Sequence, residues 1–187
     1  AVAYEALLAW KRGEGFLAES LQKIADRKGL LQPNDRALAW EIALGTLRQI
    51  RLLEENLKRF IERPPQMELS LLLQMGLYQL WWLDRTPPHA VVDAMVELAK
   101  SRWGESQVGF VNAVLRKASQ EKIRVPKGKQ LRDLAVRYSH PDWVVERWSG
   151  ELDPKQLQLR LKANNSIPTT WVRLSSDSTL RERALRE

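Results

Sequence analysis

The sequence predicts an all-α protein, a bundle of two packed helical halves, and three observations carry that prediction. Apolar residues recur at helical spacing over most of the chain. No alternating strand pattern occurs before residue 168. Proline, glycine and small polar residues cut the apolar runs into pieces of helix length. With 187 residues the chain holds one full domain and part of a second, enough to bury roughly 70% of its unfolded surface without staples.

Tyr4, Leu7 and Leu8 begin the first apolar stripe, and Phe16, Leu17, Leu21 and Ile24 form the second, with Gly13-Glu14-Gly15 as the break between them. A third segment opens at Pro33, where Asn34 or Asp35 is the candidate cap. Its apolar positions, Leu38, Ile42, Leu44, Leu47, Ile50, Leu53, Leu57 and Ile61, predict two helices, or one bent near Gly45-Thr46, ended by Pro64-Pro65. From Glu68 to Leu83 nearly every side is apolar, which predicts a central helix buried all round, with Gly76 admitting a close neighbour. Pro87-Pro88 opens the next helix, whose face is Val92, Met95, Val96, Ala99 and Trp103. Gly104 ends it, and Ser106 is the candidate cap of a helix striped by Val108, Val111, Leu115 and Ala118. Arg124 to Lys129 reads as a basic linker containing proline and glycine. Helical pieces follow over 131–138, 141–148 and 153–163, then a strand over 169–174 and a last helix capped by Ser178. A lone strand leaves its backbone groups unpaired, so that strand and helix are expected to begin a truncated α+β domain. The expected boundary divides residues 1–124 from 125–187.

Composition excludes several kinds of chemistry. There is no cysteine, hence no disulfide, thiolate zinc site, Fe–S cluster or thiol nucleophile. The two histidines, His89 and His140, stand far apart in sequence, so no metal site is expected. No apolar run nears the roughly 20 residues of a membrane span, and the start has no signal-peptide pattern. A soluble cytoplasmic chain is the expectation, and a start without methionine reads as a trimmed piece. The net charge is +7. Eight basic and three acidic residues between Gly104 and His140 carry five of those charges. Such an excess suits a polyanion, and a solvated helix face with its linker accounts for it equally well.

Most motif candidates fail on context. Gly13-Glu14-Gly15-Phe16-Leu17-Ala18 matches the spacing of a dinucleotide loop, yet a helical stripe precedes it, so a helix–helix turn is the better reading. Ser139-His140 lacks the elbow of a serine nucleophile. His89 is expected to fix the entry of its helix. Glu97 and Asn112, set in apolar helices, are expected to be buried and bonded to backbone or to a basic partner such as Arg36 or Arg48. Trp40, Trp81 and Trp103 fall on apolar stripes and read as core. Charge alone nominates Arg116, Lys117, Lys122, Arg124, Lys127 and Lys129 as phosphate-binding residues, with weaker support for Lys11 and Arg12.

Four segments share a resemblance. They are Asp35-Arg36 with Leu44-Gly45-Thr46-Leu47-Arg48; Met75-Gly76-Leu77-Tyr78-Gln79-Leu80; Pro87-Pro88-His89-Ala90 through Glu97 to Lys100; and Gly109-Phe110-Val111-Asn112 through Arg116-Lys117. In this order they resemble the NusB-like domain, an all-helical RNA-binding fold. That domain serves transcription antitermination and also stands at the front of RsmB (Fmu/Sun) type 16S rRNA cytosine-C5 methyltransferases. The continuation through Arg137-Tyr138, His140-Pro141, Trp143, Trp148, Asn164-Asn165 and Trp171-Val172-Arg173-Leu174 resembles the linker helices and small RNA-binding domain that precede the catalytic domain of the second group.

The resemblance implies an RNA-binding and substrate-positioning N-terminal region whose partners are small-subunit rRNA and its own catalytic domain. A homodimer of the isolated piece stays open, as does the alternative of a free-standing antitermination factor binding single-stranded RNA and a ribosomal protein. Adding a methyl group at cytosine C5 needs a nucleophile at C6, commonly a thiolate. A chain without cysteine cannot supply one, and no strand-to-glycine-loop unit is legible for S-adenosylmethionine. No cofactor is therefore expected on these residues, and S-adenosylmethionine is expected in a catalytic domain outside them.

Overall fold

The computed structural model describes residues 1–29 and 32–169. Those residues form ten α-helices and one short 3-10 turn. The first three are α1 (Val2–Lys11), α2 (Leu17–Lys28) and α3 (Pro33–Arg48), each packed on the other two. The loop between α1 and α2 places Gly13 and Gly15 at φ of 77° and 132°, a left-handed region open to glycine. It is a helix–helix turn, with no strand before it. A short α4 (Ile50–Leu57) leads to α5 (Met67–Trp82), α6 (Pro88–Trp103), the 3-10 turn Gly104–Gln107 and α7 (Val108–Ser119). Helices α5, α6 and α7 form the second mutually packed set.

Helix α5 touches both sets, through α1 and α3 on one side and α6 and α7 on the other, and α4 as well. Ten of its sixteen residues are buried, including Leu71, Leu72, Leu73 and Leu77, as a stripe without a polar side requires. Gly76 lets α7 approach, since a Cβ there would stand 2.9 Å from the Leu115 side chain. On the other side Gly45 of α3 makes room for Tyr78, whose ring would lie 2.0 Å from an added Cβ.

A second apolar cluster lies after residue 130. Helices α8 (Leu131–Arg137), α9 (Asp142–Ser149) and α10 (Pro154–Asn164) bury Leu134, Ala135, Val145, Leu157 and Leu161 together. Asp153 caps α10 by accepting hydrogen bonds from the Lys155 and Gln156 amides at 2.8 and 2.9 Å. The cluster docks through α8 on α4. There the Arg51 amide donates to Ser139 Oγ at 3.0 Å, and the Arg51 guanidinium pairs with Asp142.

Several local expectations are corrected. Helix α3 starts at Pro33 behind Gln32 without a side-chain cap, because the fixed φ of proline is already helical and leaves Asn34 and Asp35 inside the first turn. The chain breaks at Gln49, with φ −105°, rather than at Gly45-Thr46. Ser106 lies within the 3-10 turn and donates back to the Trp103 carbonyl at 2.9 Å, so it does not cap α7. Phe16 precedes α2 and is exposed. The expected strand over 169–174 and the helix after Ser178 lie outside the described residues.

Candidate nucleic-acid interface

The basic segment after α7 is held in place by side chains from three helices. In α5, Trp81 Nε1 donates to the Glu121 carbonyl at 3.0 Å. Just after α4, Arg59 pairs with the Glu121 carboxylate and donates to the Lys122 carbonyl at 3.2 Å. Buried Asn56 of α4 bonds both backbone groups of Arg124, its Oδ1 accepting from the amide at 2.8 Å and its Nδ2 donating to the carbonyl at 2.9 Å. Asn56 thus pairs with the segment much as a neighbouring strand would. Further on, Arg137 of α8 donates to the carbonyls of Pro126 and Gly128 at 2.7 and 2.6 Å. Gly128 is tight as well, since a Cβ there would stand 1.9 Å from the Asp133 carboxylate. Residues 121–130 are therefore a strap with a fixed backbone, where the sequence suggests a plain linker.

That fixed backbone carries exposed cations. Lys122, Arg124, Lys127 and Lys129 are all exposed. Of these only Arg124 approaches a carboxylate among the described residues, Glu121 at 3.7 Å. Arg116 and Lys117 occupy the last turn of α7, leading into the strap, and are exposed too. Holding the backbone lowers the conformational entropy lost when such side chains meet a polyanion.

The other two nominated cations lie elsewhere. Arg12 is paired with Glu68 at 2.8 Å, and Lys11 sits over the Trp10 ring at 5.8 Å. Glu68 is in the first turn of α5, whereas Trp81, which anchors the strap, is in its last. At 1.5 Å rise per residue the two ends are about 20 Å apart. The strap and the end of α1 do not form one patch.

The residues expected to serve structure fare unevenly. Arg36 donates to Gln22 and stacks over Trp40 at 4.9 Å. His89 is exposed in the first turn of α6 without a hydrogen bond among the described residues. Glu97 is exposed rather than buried, and Asn112 is half-buried; neither bonds Arg36, Arg48 or any described group. Helix geometry gives the reason. The core face of α6 runs through Val91, Val92, Met95 and Ala99, and Glu97 lies about 200° around the helix from Met95. Asn112 is one residue past buried Val111, about 100° around α7. Among the polar side chains that are buried and bonded, Asn56 is the one that reaches the strap, and the sequence signals it by a polar residue between Leu53 and Leu57 on one stripe. Arg59 and Arg137 carry no such signal. Trp40, Trp81 and Trp103 pack against the main core as expected, while Trp143 is exposed. No group of three His, Asp or Glu residues is placed to hold a metal among the described residues.

Two three-helix sets that meet at the buried helix α5, with a cationic strap at one end, define a helical-bundle module. The family described as the NusB family matches residues 1–120, and this chain belongs to it. Among curated relatives, a probable ribosomal RNA small subunit methyltransferase B of Bacillus subtilis (strain 168) is 32% identical over 154 residues, covering 79% of this chain and 34% of the relative. The ribosomal RNA small subunit methyltransferase B of Vibrio cholerae is 35% identical over 148 residues, covering 78% and 33%. The chain thus spans about a third of the length of the curated relatives it matches. The match to them runs beyond the NusB-family region, which favours this relationship over one with a free-standing antitermination factor. The fold is shared with a solved structure of the antitermination factors NusB and NusE in complex with dsRNA, at TM-score 0.57 and 20% identity, covering 64% of this chain and 91% of that one. A solved plectonemic RNA supercoil structure includes a similar chain, at TM-score 0.55 and 22% identity, with 64% and 89% covered.

Proposed function

We propose that this chain is the RNA-binding and substrate-positioning N-terminal region of an S-adenosylmethionine-dependent rRNA (cytosine-C5) methyltransferase. Residues 1–124 serve as the NusB-like domain, and 125–187 as linker helices and the start of a small RNA-binding domain. The observation that carries the reading is the strap, in which Asn56, Arg59, Trp81 and Arg137 hold the backbone that displays Lys122, Arg124, Lys127 and Lys129. Its cations meet rRNA phosphates, which fix register without reading sequence. The catalytic domain then reaches a flipped base. In this reading the methyl donor and the thiol nucleophile belong to the catalytic domain of the longer protein. The partners in this reading are small-subunit rRNA and that catalytic domain, and the location is the cytoplasm. No described helix is long and apolar enough to cross a membrane.

Steady-state kinetics of the longer protein tests the proposal. Reversing the four strap charges should raise KM for a small-subunit rRNA substrate and leave kcat at saturating RNA unchanged, the signature of uniform binding. An unchanged KM would count against it.

A further inference from the structure

A cavity of about 270 Å³ lies between α3, the end of α5 and the segment following α10. Its wall is aromatic. Tyr78 and Trp82 stack with centroids 5.4 Å apart and planes 16° from parallel. Tyr78 is buried, held by its hydroxyl donating to Glu41 at 2.5 Å and by the space that Gly45 leaves it. Trp82 is half-buried and lines the cavity together with Tyr78. Around the rim stand Arg48, Gln49 and Asn165, none with a side-chain hydrogen bond or ion pair among the described residues. Arg48 is one of the residues expected to bond Glu97 or Asn112. It stands at this cavity instead.

We propose that this cavity takes one unpaired nucleobase of the bound RNA, stacked on Trp82 and read at its edge by Asn165, Gln49 and Glu41. A flat heteroaromatic ring suits the indole face, and the two amides and the carboxylate offer both donors and acceptors to a base edge. The Arg48 guanidinium can meet a base carbonyl or the adjoining phosphate. The link from the cavity to the strap through two adjacent tryptophans argues for an RNA base over a free nucleotide. Trp81, which anchors the strap through Glu121, is adjacent to Trp82 in the chain, and the two rings lie 6.5 Å apart. Phosphate contacts on the strap and a base in the cavity then form one path for a single strand. The inference rests on the RNA-binding reading above, and its test separates the two.

Photo-cross-linking of the 187-residue chain to a short single-stranded rRNA oligonucleotide carrying bromouridine, with peptide mapping, reads the site directly. The expected adduct lies on Tyr78 or Trp82. Trp82→Leu should remove it and weaken RNA binding about tenfold, as loss of one stacked base does. The dependence of binding on salt should stay the same, because no phosphate contact is lost. Arg48→Gln serves as a milder second variant, and thermal melting confirms that both variants fold. Salt-dependent binding with cross-links only outside residues 78–82, and full affinity in both variants, overturns the cavity while leaving the strap intact. Cross-linking of free bromouridine monophosphate at Trp82, with none from RNA, overturns the assignment to RNA and leaves a mononucleotide site. Absence of any RNA binding overturns both readings.

Discussion

Asn56 does more for the candidate site than any of the cations, although it bears no charge. Its amide satisfies the backbone of Arg124 and the carbonyl of Leu52, and its carbonyl oxygen also accepts from Arg59 Nη1 at 2.9 Å. Truncating one partner of such buried bonds costs about 1–3 kcal/mol. Asn56→Ala should therefore lower stability by that amount in urea unfolding and speed amide exchange across residues 122–126. Unchanged exchange there would mean the strap is held without it. His140 offers a different test at this scale. Its Nδ1 donates to the Tyr138 carbonyl at 2.6 Å, and its ring meets Trp148 edge-on at 6.0 Å. Burial pushes its pKa below the ordinary 6.5, with the Tyr138 bond opposing in part. The folded state thus binds the proton less readily than the unfolded one, so stability rises with pH across the interval between the two pKa values. Stability should be fully present above about pH 6.5 and fall as pH drops through the lowered value. His140→Gln should remove that part of the acid dependence of Tm. An identical profile in both proteins would contradict this account.

Among the elements, α5 was the most legible in advance, because a helix with apolar residues on nearly every side has one place to go. Leu73 and Leu77 are fully buried in it, and cutting either to alanine should cost roughly 2–5 kcal/mol, as measured by denaturant unfolding. Tolerance of both changes within about half a kcal/mol would remove α5 from the centre. The strap was legible only as composition. Its basic residues, Pro126 and Gly128 were plain in the sequence, but the side chains that hold it come from Asn56, Arg59, Trp81 and Arg137, up to 68 positions away. No local pattern encodes such a contact. Glu97 and Asn112 depart from the expectation for a related reason. A polar residue in an apolar helix reads as buried only when its angle around the helix is the core angle, and theirs is not.

For the whole molecule, the arrangement joins two apolar clusters through a fixed strap instead of a free tether. Helix α8 rests on α4, Arg51 engages Ser139 and Asp142, and Arg137 closes the strap at its far end. The basic side chains are thereby carried on a preformed track at the Trp81 end of α5, whereas Arg12 pairs with Glu68 at the opposite end. Phosphate contacts along that track release counterions, so affinity should fall steeply with salt. The most direct measurement is the salt dependence of binding between this chain and a single-stranded small-subunit rRNA fragment. It should compare the native chain with a variant bearing Lys122→Glu, Arg124→Glu, Lys127→Glu and Lys129→Glu. If about four phosphates are neutralised, log K should fall against log salt with a slope of roughly −3, and the variant should lose both the slope and the low-salt affinity. Equal binding by the two proteins at low salt, with equal slopes, would contradict the strap as the RNA surface.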